Sequence, residues 1–431
     1  MKLSTQPYKG TRDFYPEDKR FQKWMFSQWR EVAESFGYEE YDAPLIEPLE
    51  LYKAKTGEEI VNEQTYVFDD RGGRKVTIRP EMTPTVNRMV AARKQELSYP
   101  LRLYSIPNVW RYERPQRGRL REHWQLNIDL FGVSGLQAEI EMIDMASALM
   151  HKFGATKSMF TININSRKLI NYILKSYLKL SAKSAHDLSK LIDKMHKFTK
   201  SEFDKQLKDI VSTRSKREEV SSILKVKSIE ELPDKIKNHS STQQLNQLLL
   251  KCKNRGISNI VFDISLMRGF DYYTDIVFEI FDTDSSNNRS LFGGGRYDGL
   301  VSMFGVESVA TIGFGIGDVT LENFLKTHEL TPKLEPSTDL IVITVGDTEE
   351  LIQPVINQLR NNKLNVAVDF SDKKLDKQLK SAQKSGVRYA LVVGHDELKS
   401  GTYKLKDFTS SAEQSVQLLD IVNIINSSKD E

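Results

Sequence analysis

The sequence predicts an α/β protein built from more than one domain, and three observations carry that prediction. At 431 residues the chain is long enough for two or three independent cores. Its first third and residues 256–330 mix short alternating runs with helical ones, whereas about Lys168 to Lys253 is lysine-rich, glycine-free and helical in periodicity. Past the segment Thr331 to Ser337, which holds Pro332 and Pro336, strands and helices alternate compactly, as in a separate α/β domain.

Composition narrows the function classes. Sixty-two basic residues against 59 acidic ones give a net charge of +3, too mild for a chain that coats a polyanion, so any polyanion site must be local. A single cysteine, Cys252, excludes an internal disulfide framework and a cysteine-rich zinc site, and fits a reducing compartment. No apolar run reaches membrane-spanning length, and MKLSTQPYKG has no signal-peptide hydrophobic region. The expectation is a cytoplasmic protein with no membrane partner.

Taken in order, Gly10 to Asp18 opens with turn chemistry. A helix follows from about Asp18 to Ser35, with Phe21, Trp24, Met25, Trp29 and Val32 near helical spacing. Gly37 ends it, and Tyr38 to Ala43 reads as a strand closed by Pro44, suited to an edge or interface. Tyr66 to Asp69 and Lys75 to Arg79 read as a hairpin around Arg71-Gly72-Gly73, followed by a helix from about Thr85 to Lys94. Thr83 or Thr85 is a candidate cap for that helix, and Glu81 a candidate surface carboxylate.

The centre of the chain is VWRYERPQRGRLREHWQLNIDLFG, Val109 to Gly132. Val109-Trp110 reads as a strand end, and Trp124 to Phe131 alternates polar and apolar like a strand with one wet face. Pro115 and Gly118 mark the loop between them, which Arg111, Arg114, Arg117, Arg119 and Arg121 load with cations. Five guanidiniums repel one another, so the segment is expected to face a polyanion such as a nucleoside triphosphate or nucleic acid; a solvated basic hairpin explains them equally well.

A helix from Glu139 to Lys152 and a strand from Phe160 to Asn165 come next, then the helical stretch, whose lysines suit a solvated face or a nucleic-acid backbone. Strand character returns at Ile260 to Asp263 and Ile276 to Phe281. Phe292-Gly293-Gly294-Gly295-Arg296-Tyr297-Asp298-Gly299 and Gly313-Phe314-Gly315-Ile316-Gly317 are glycine-rich pieces that let backbone approach a ligand, although neither has P-loop or dinucleotide spacing. The C-terminal alternation reads as strand Leu340 to Val345, helix Glu349 to Asn361, strand Val366 to Asp369, helix Leu375 to Ser385 and strand Tyr389 to Val393.

In ordered sequence these motifs resemble the class II histidyl-tRNA synthetases over nearly the whole chain. Gly37 through Pro44 resembles the class's first motif, which builds a homodimer interface; RYERPQRGRLREHWQ with NIDLFG resembles the second. RGFDYYTDIVFEI resembles the segment particular to the histidine enzymes, and GGGRYDGLV the block after it; IRPEMTPT and YKGTRDFYPED are similar to further family stretches. The resemblance implies a class II antiparallel sheet flanked by helices, interrupted by a helical insertion and followed by an α/β anticodon-binding domain. It implies catalytic parts at 1–167 and 256–330, the insertion at 168–255 and the anticodon domain at 337–431. It also implies ATP-dependent ligation of L-histidine to tRNA(His) through histidyl-adenylate, with Mg2+ accompanying ATP.

Residue by residue, the resemblance makes Arg268 and Arg111 the catalytic pair gripping the α-phosphate, with Arg119 and Glu113 also at the ATP end. Charge builds on phosphate oxygens during adenylation, so fixed cations lower that barrier. Glu81, Thr83 and Gln125 would hold the amino and carboxylate ends of histidine, and Met82 belongs to the same histidine-binding set. Asp129, Tyr272 and Tyr273 would read the imidazole, and Tyr297 with the neighbouring glycines would line the floor. An imidazole offers one donor and one acceptor, which a hydroxyl and a carboxylate complement. For Tyr272 and Tyr273 the alternative is an ordinary sheet position with one ring in the core. Arg114, Gln116 and Arg117 would contact the tRNA acceptor end. Two positions depart from the family pattern: Asp129 stands where glutamate is common, and Thr320 where the third motif usually carries an arginine that stacks on adenine. The competing expectation is a synthetase-like paralogue without aminoacylation, such as the regulatory subunit of ATP phosphoribosyltransferase.

Overall fold

The computed structural model describes residues 3–53, 64–267, 272–287, 289–371 and 373–428. The chain divides into two compact units, residues 1–13 with 22–331 and residues 14–21 with 332–431.

The strands of the first unit are β1 Glu39–Glu40, β2 Ile46–Pro48, β3 Tyr66–Asp69, β4 Lys75–Ile78, β5 Leu101–Ser105 and β6 Asn108–Trp110. They continue with β7 Glu122–Phe131, β8 Phe160–Ser166, β9 Ile260–Phe262, β10 Ile276–Asp282, β11 Ser290–Arg296 and β12 Thr311–Gly317. Among the described residues the large sheet runs β1-β5-β7-β12-β11-β10-β8-β9, with β6 also paired to β7. Every pairing from β5 to β8 is antiparallel; only the edges β1 and β9 run parallel to their neighbours. The small sheet β2-β4-β3 stands apart.

The helix Leu136–Lys152 buries Ile140, Met142, Ile143, Met145, Leu149 and Met150 and packs on this sheet. At its first turn Glu139 receives Arg296, which lies at the end of β11, through two guanidinium nitrogens at 2.5 and 2.8 Å, and both side chains are buried. Removing either partner would strand a buried charge, a loss of about 3–5 kcal/mol. Between β8 and β9 the chain is wholly helical, from Arg167–Asn171 through Ser240–Asn254, as the glycine-free stretch predicted.

In the second unit β13 Leu340–Thr344, β14 Val366–Asp369, β15 Tyr389–Val393, β16 Thr402–Asp407 and β17 Glu413–Gln417 form the order β14-β13-β15-β16-β17. The first three are parallel and the last two pair antiparallel. Leu340, Val342, Leu391, Val393 and Leu405 pack with Ile356 and Ile421 of helices Gln353–Asn361 and Leu418–Ser427.

Several boundaries differ from the sequence expectation. The strand expected over Tyr38 to Ala43 is only the two-residue β1, because the chain turns toward Pro44 and Arg79 takes up the Ala43 carbonyl. The helix expected from Thr85 begins at Thr83, with Pro84 in its first turn; its N-cap is Met82, so neither threonine caps it. The helix expected from Glu139 begins at Leu136, and the C-terminal one expected from Glu349 begins at Gln353. Strand β5 was not anticipated. The two glycine-rich pieces, which the sequence left without an assigned element, form the central strands β11 and β12, whose missing side chains make room beside the site.

Candidate active site

A cavity of about 200 Å³ opens on the face of β7, β11 and β12. Strand β7 projects Gln125, Asn127 and Asp129 into it at period two, so the wet face read from the sequence is wetted by a cavity rather than by bulk solvent. Opposite β7, Gly315 and Gly313 of β12 pair with Asn127 and Asp129. A Cβ on Gly313 would lie 2.7 Å from both Asp129 Oδ1 and the Tyr297 hydroxyl, and one on Gly315 would overlap the Gln125 amide. Only glycine leaves this floor open.

One end of the cavity is a buried polar pocket. The Tyr272 hydroxyl donates to Glu81 Oε2 at 3.2 Å, joining residues 191 positions apart. Burial, then the Glu81 charge, holds the Tyr272 phenol well above its ordinary range. Tyr297 donates to Asp129 Oδ1, while Asp129 Oδ2 is buried with no hydrogen-bond partner among the described residues. Burial pushes the Asp129 carboxyl up to about 7, opposed in part by the Tyr297 hydrogen bond. The rings of Tyr272, Tyr273 and Tyr297 lie edge to face, with centroids 4.9 to 6.3 Å apart. They pack with Leu266, Val277 and Leu300, so these tyrosines are core residues and cavity walls at once. Thr83 lines the same end, and Met82 is fully buried.

The other end is cationic. Arg111 lines it, fixed by donation from Nε to the Pro80 carbonyl at 2.9 Å. Arg119 and Glu113 also line it and pair with each other at 3.1 Å. Thr320 lies in the wall, its hydroxyl donating toward the carbonyls of Leu291 and Gly317. Arg268 lies outside the described residues, as do Gly269, Phe270 and Asp271.

The structure corrects the picture of five like guanidiniums facing one polyanion. Arg114, Arg117 and Arg119 are exposed and Arg111 enters the cavity, but Arg121 is buried, stacked 4.0 Å from the centre of the Tyr112 ring and bonded to the Tyr8 hydroxyl. Aromatic faces and a hydroxyl neutralise the crowding that composition alone implied. Gln116 and Arg117 line a second, wider cleft of about 1040 Å³ that also reaches Lys197 and Arg289; Arg289 donates to Gln116 at 2.9 Å.

Two further cavity residues carried no sequence signal that singled them out. Asn127 could have been found from its period-two relation to Gln125 and Asp129. His123 stands one register away, and burial followed by Arg111, Arg12 and Arg119 lowers its imidazole to about 3, so it stays neutral. Its neutrality depends on burial, on the nearby Arg111 and Arg119, and on Arg12 brought in from the start of the chain.

The sequence model of the histidyl-tRNA synthetase family matches residues 10–317, and that of the anticodon binding domain matches residues 339–428. A histidine–tRNA ligase of Leptospira biflexa is 46% identical over 415 residues, covering 95% of this chain and 94% of its own. The crystal structure of histidyl-tRNA synthetase from a Nostoc species superposes with a TM-score of 0.83 at 22% identity, covering 99% of this chain and 100% of its own. A Bacillus halodurans structure described as an ATP phosphoribosyltransferase regulatory subunit/histidyl-tRNA synthetase gives a TM-score of 0.74 at 21% identity, over 91% of this chain and 99% of its own. Those two likenesses concern the fold alone.

An antiparallel sheet with this glycine-floored, arginine-edged cavity, followed by an anticodon-binding domain, defines a class II aminoacyl-tRNA synthetase. Within that class, the chain belongs to the histidyl-tRNA synthetase family.

Proposed function

We propose that the chain ligates L-histidine to tRNA(His), first activating histidine with ATP as histidyl-adenylate and then transferring it to the terminal ribose. The observation that carries this reading is the adjacency of two unlike ends in one cavity: a buried carboxyl-and-phenol pocket and a cationic mouth. Asp129 Oδ2 is available to accept an imidazole N–H, and Glu81 and Gln125 suit the amino-acid ends. An apolar side chain in the pocket would leave those polar groups unpaired, which favours strong rejection without editing. With the histidine carboxylate directed at the α-phosphorus, Arg111 is placed to stabilise the charge that develops on the phosphate oxygens.

Arg268 is proposed as the second cation on that phosphate, on the family resemblance of its motif. Arg119 and Glu113 are assigned to ATP, and Arg114, Gln116 and Arg117 to the acceptor end. Magnesium would accompany the triphosphate, bound through its phosphates and not by a site of the protein alone, and would offset phosphate charge. The proposed domain limits are 1–167 and 256–330 for catalysis, 168–255 for the insertion and 337–431 for the anticodon. A homodimer through residues 37–44 is supported by the exposed apolar side chains Leu45 and Ile46 beside that segment. The proposed compartment is the cytoplasm; among the described residues no helix is long and apolar enough to cross a membrane.

Histidine-dependent ATP–pyrophosphate exchange tests the reading. Exchange is expected, and Arg268→Ala should abolish it while leaving tRNA binding intact. Thr320 is the observation that favours the non-acylating paralogue, and absence of exchange would decide for that alternative.

A further inference from the structure

The opening motif, YKGTRDFYPED, has no part in the chemistry described so far, yet its first residues touch both walls of the ATP end. On one side the Gly10 carbonyl accepts the backbone N–H groups of Arg121 at 2.8 Å and Glu122 at 3.2 Å. The Tyr8 hydroxyl accepts Arg121 Nη1 at 2.8 Å, and the guanidinium lies 5.4 Å from the centre of the Tyr8 ring. Gly10 has φ +86°, and a Cβ there would stand 2.8 Å from Arg121 Cγ and 3.0 Å from Pro115 Cγ, so the segment fits closely against the loop.

On the other side Arg12 Nη2 donates to Asp318 Oδ2 at 2.6 Å, at the start of the helix Asp318–Thr327. The second Asp318 oxygen accepts the backbone N–H of Trp124 at 3.0 Å. That helix supplies Val319 and Thr320 to the cavity, whereas the arginine-rich loop supplies Arg111, Glu113 and Arg119.

Arg121 relays the tie to the side chains that face the substrate. Its carbonyl accepts the Arg111 N–H at 2.8 Å, and its Nε donates to the Glu113 carbonyl at 3.1 Å. A displacement of Arg121 therefore moves Arg111 and Glu113 together. The Thr320 hydroxyl is turned toward the carbonyls of Leu291 and Gly317, and the loop approaches this helix at Gly118, so the strap acts beside a direct loop–helix approach.

We propose that residues 8–12 form a strap that fixes the spacing between the arginine-rich loop and the helix Asp318–Thr327, making Tyr8, Arg12 and Arg121 positioning residues for ATP. This rests on the synthetase reading of the cavity. The strap's anchors, Arg121 and Asp318, both lie at the cationic end, so its loss is expected to act chiefly on ATP.

The test is histidine-dependent pyrophosphate exchange with KM measured separately for ATP and histidine, together with Tm. Arg121→Ala is expected to raise the ATP KM about tenfold while the histidine KM stays within about twofold, because misplacing a binding group is felt by the ligand it aligns. Arg12→Gln, which cuts the opposite anchor, is expected to raise the ATP KM about fivefold, and Arg121→Lys to recover part of the alanine loss because it keeps charge without the planar fork. Tyr8→Phe keeps the ring and removes only the hydroxyl, so it reads out the strap even where Arg121→Ala does not fold; an ATP KM raised about threefold is expected. An unchanged ATP KM in both Arg12→Gln and Tyr8→Phe would overturn the strap, as would an equal rise in both KM values with a lowered Tm. Loss of exchange in the parent enzyme would instead remove the synthetase reading itself.

Discussion

The two ends of the cavity are built by opposite strategies. At the tyrosine end Glu81, Asp129, Tyr272 and Tyr297 are each less than 5% exposed and are hydrogen-bonded in two pairs, Tyr272 to Glu81 and Tyr297 to Asp129. At the cationic end the Arg119 side chain is 53% exposed and its partner Glu113 lies on the same loop, six residues away. The first arrangement is preorganised: its polar groups were desolvated on folding, so a ligand that leaves them unmatched is penalised in full. The second leaves the Arg119 guanidinium near water, where its pair with the less exposed Glu113 is weak and a polyanion can exchange partners with it. The proposed function uses both: an amino-acid side chain would have to be discriminated from close analogues, whereas phosphates would have to be gripped and then released as pyrophosphate.

That contrast breaks most visibly at Asp129. Its folded-state pKa of about 7 is raised above the unfolded value, so the stability contributed by its proton is fully present below pH 4 and is lost as pH rises through 7. Asp129→Asn retains an acceptor for Tyr297 but never ionises. It should be more stable than the parent at pH 8 by ~4 kcal/mol, with the gap closing toward pH 4, as measured by denaturant unfolding. An equal gap at both pH values would mean that the carboxyl is not held neutral by burial.

The next effect concerns the floor of the pocket. Gly313→Ala places its methyl 2.7 Å from Asp129 Oδ1 and Tyr297 OH, and kcat/KM for histidine should fall about 100-fold in the exchange assay. The ATP KM should be untouched; a change in ATP alone would invert the assignment of the two ends.

At the exposed end the expected effects are smaller. Arg119→Ala should raise the ATP KM about fivefold at low salt, and the difference should shrink in high salt because an exposed cation is screened. Smallest of all, Arg117→Ala should weaken tRNA binding a few-fold and reduce the slope of log K against log salt by about 1, with exchange unchanged. A salt-independent loss at either residue would show that the cationic end is as preorganised as the other.

The same contrast explains what could be read before the fold was known. The alternation of Gln125, Asn127 and Asp129 is local, so the wet face of β7 was legible from spacing, as was the all-helical stretch with no glycine. The glycine pieces at Gly293–Gly295 and Gly313–Gly317 were not legible as strands: β propensity is low for glycine, and only neighbours on both sides make them central. Strand β5 has Pro100 before it and Pro107 after it, but its five residues alternate too briefly to stand out from the loop around them. The fate of Arg121 was hidden for another reason, since its cage comes from Tyr8, Tyr66 and Tyr112 in three separate segments, and spacing within the loop treats all five arginines alike.

By itself the sequence determined the α/β class, the helical stretch between two parts of one sheet, the separate C-terminal alternation and the order of the motifs that carry the family resemblance. Those features follow from periodicity and motif order, which are properties of neighbouring residues. Tertiary structure decided which groups are buried: the joining of Glu81 to Tyr272 and of Asp129 to Tyr297, the neutral His123, and the withdrawal of Arg121 from the basic face. Burial and electrostatic environment depend on what packs around a side chain, and the deciding neighbours here include positions far along the chain: Tyr272 lies 191 residues from Glu81, Tyr297 lies 168 from Asp129, and Tyr8 lies 113 from Arg121.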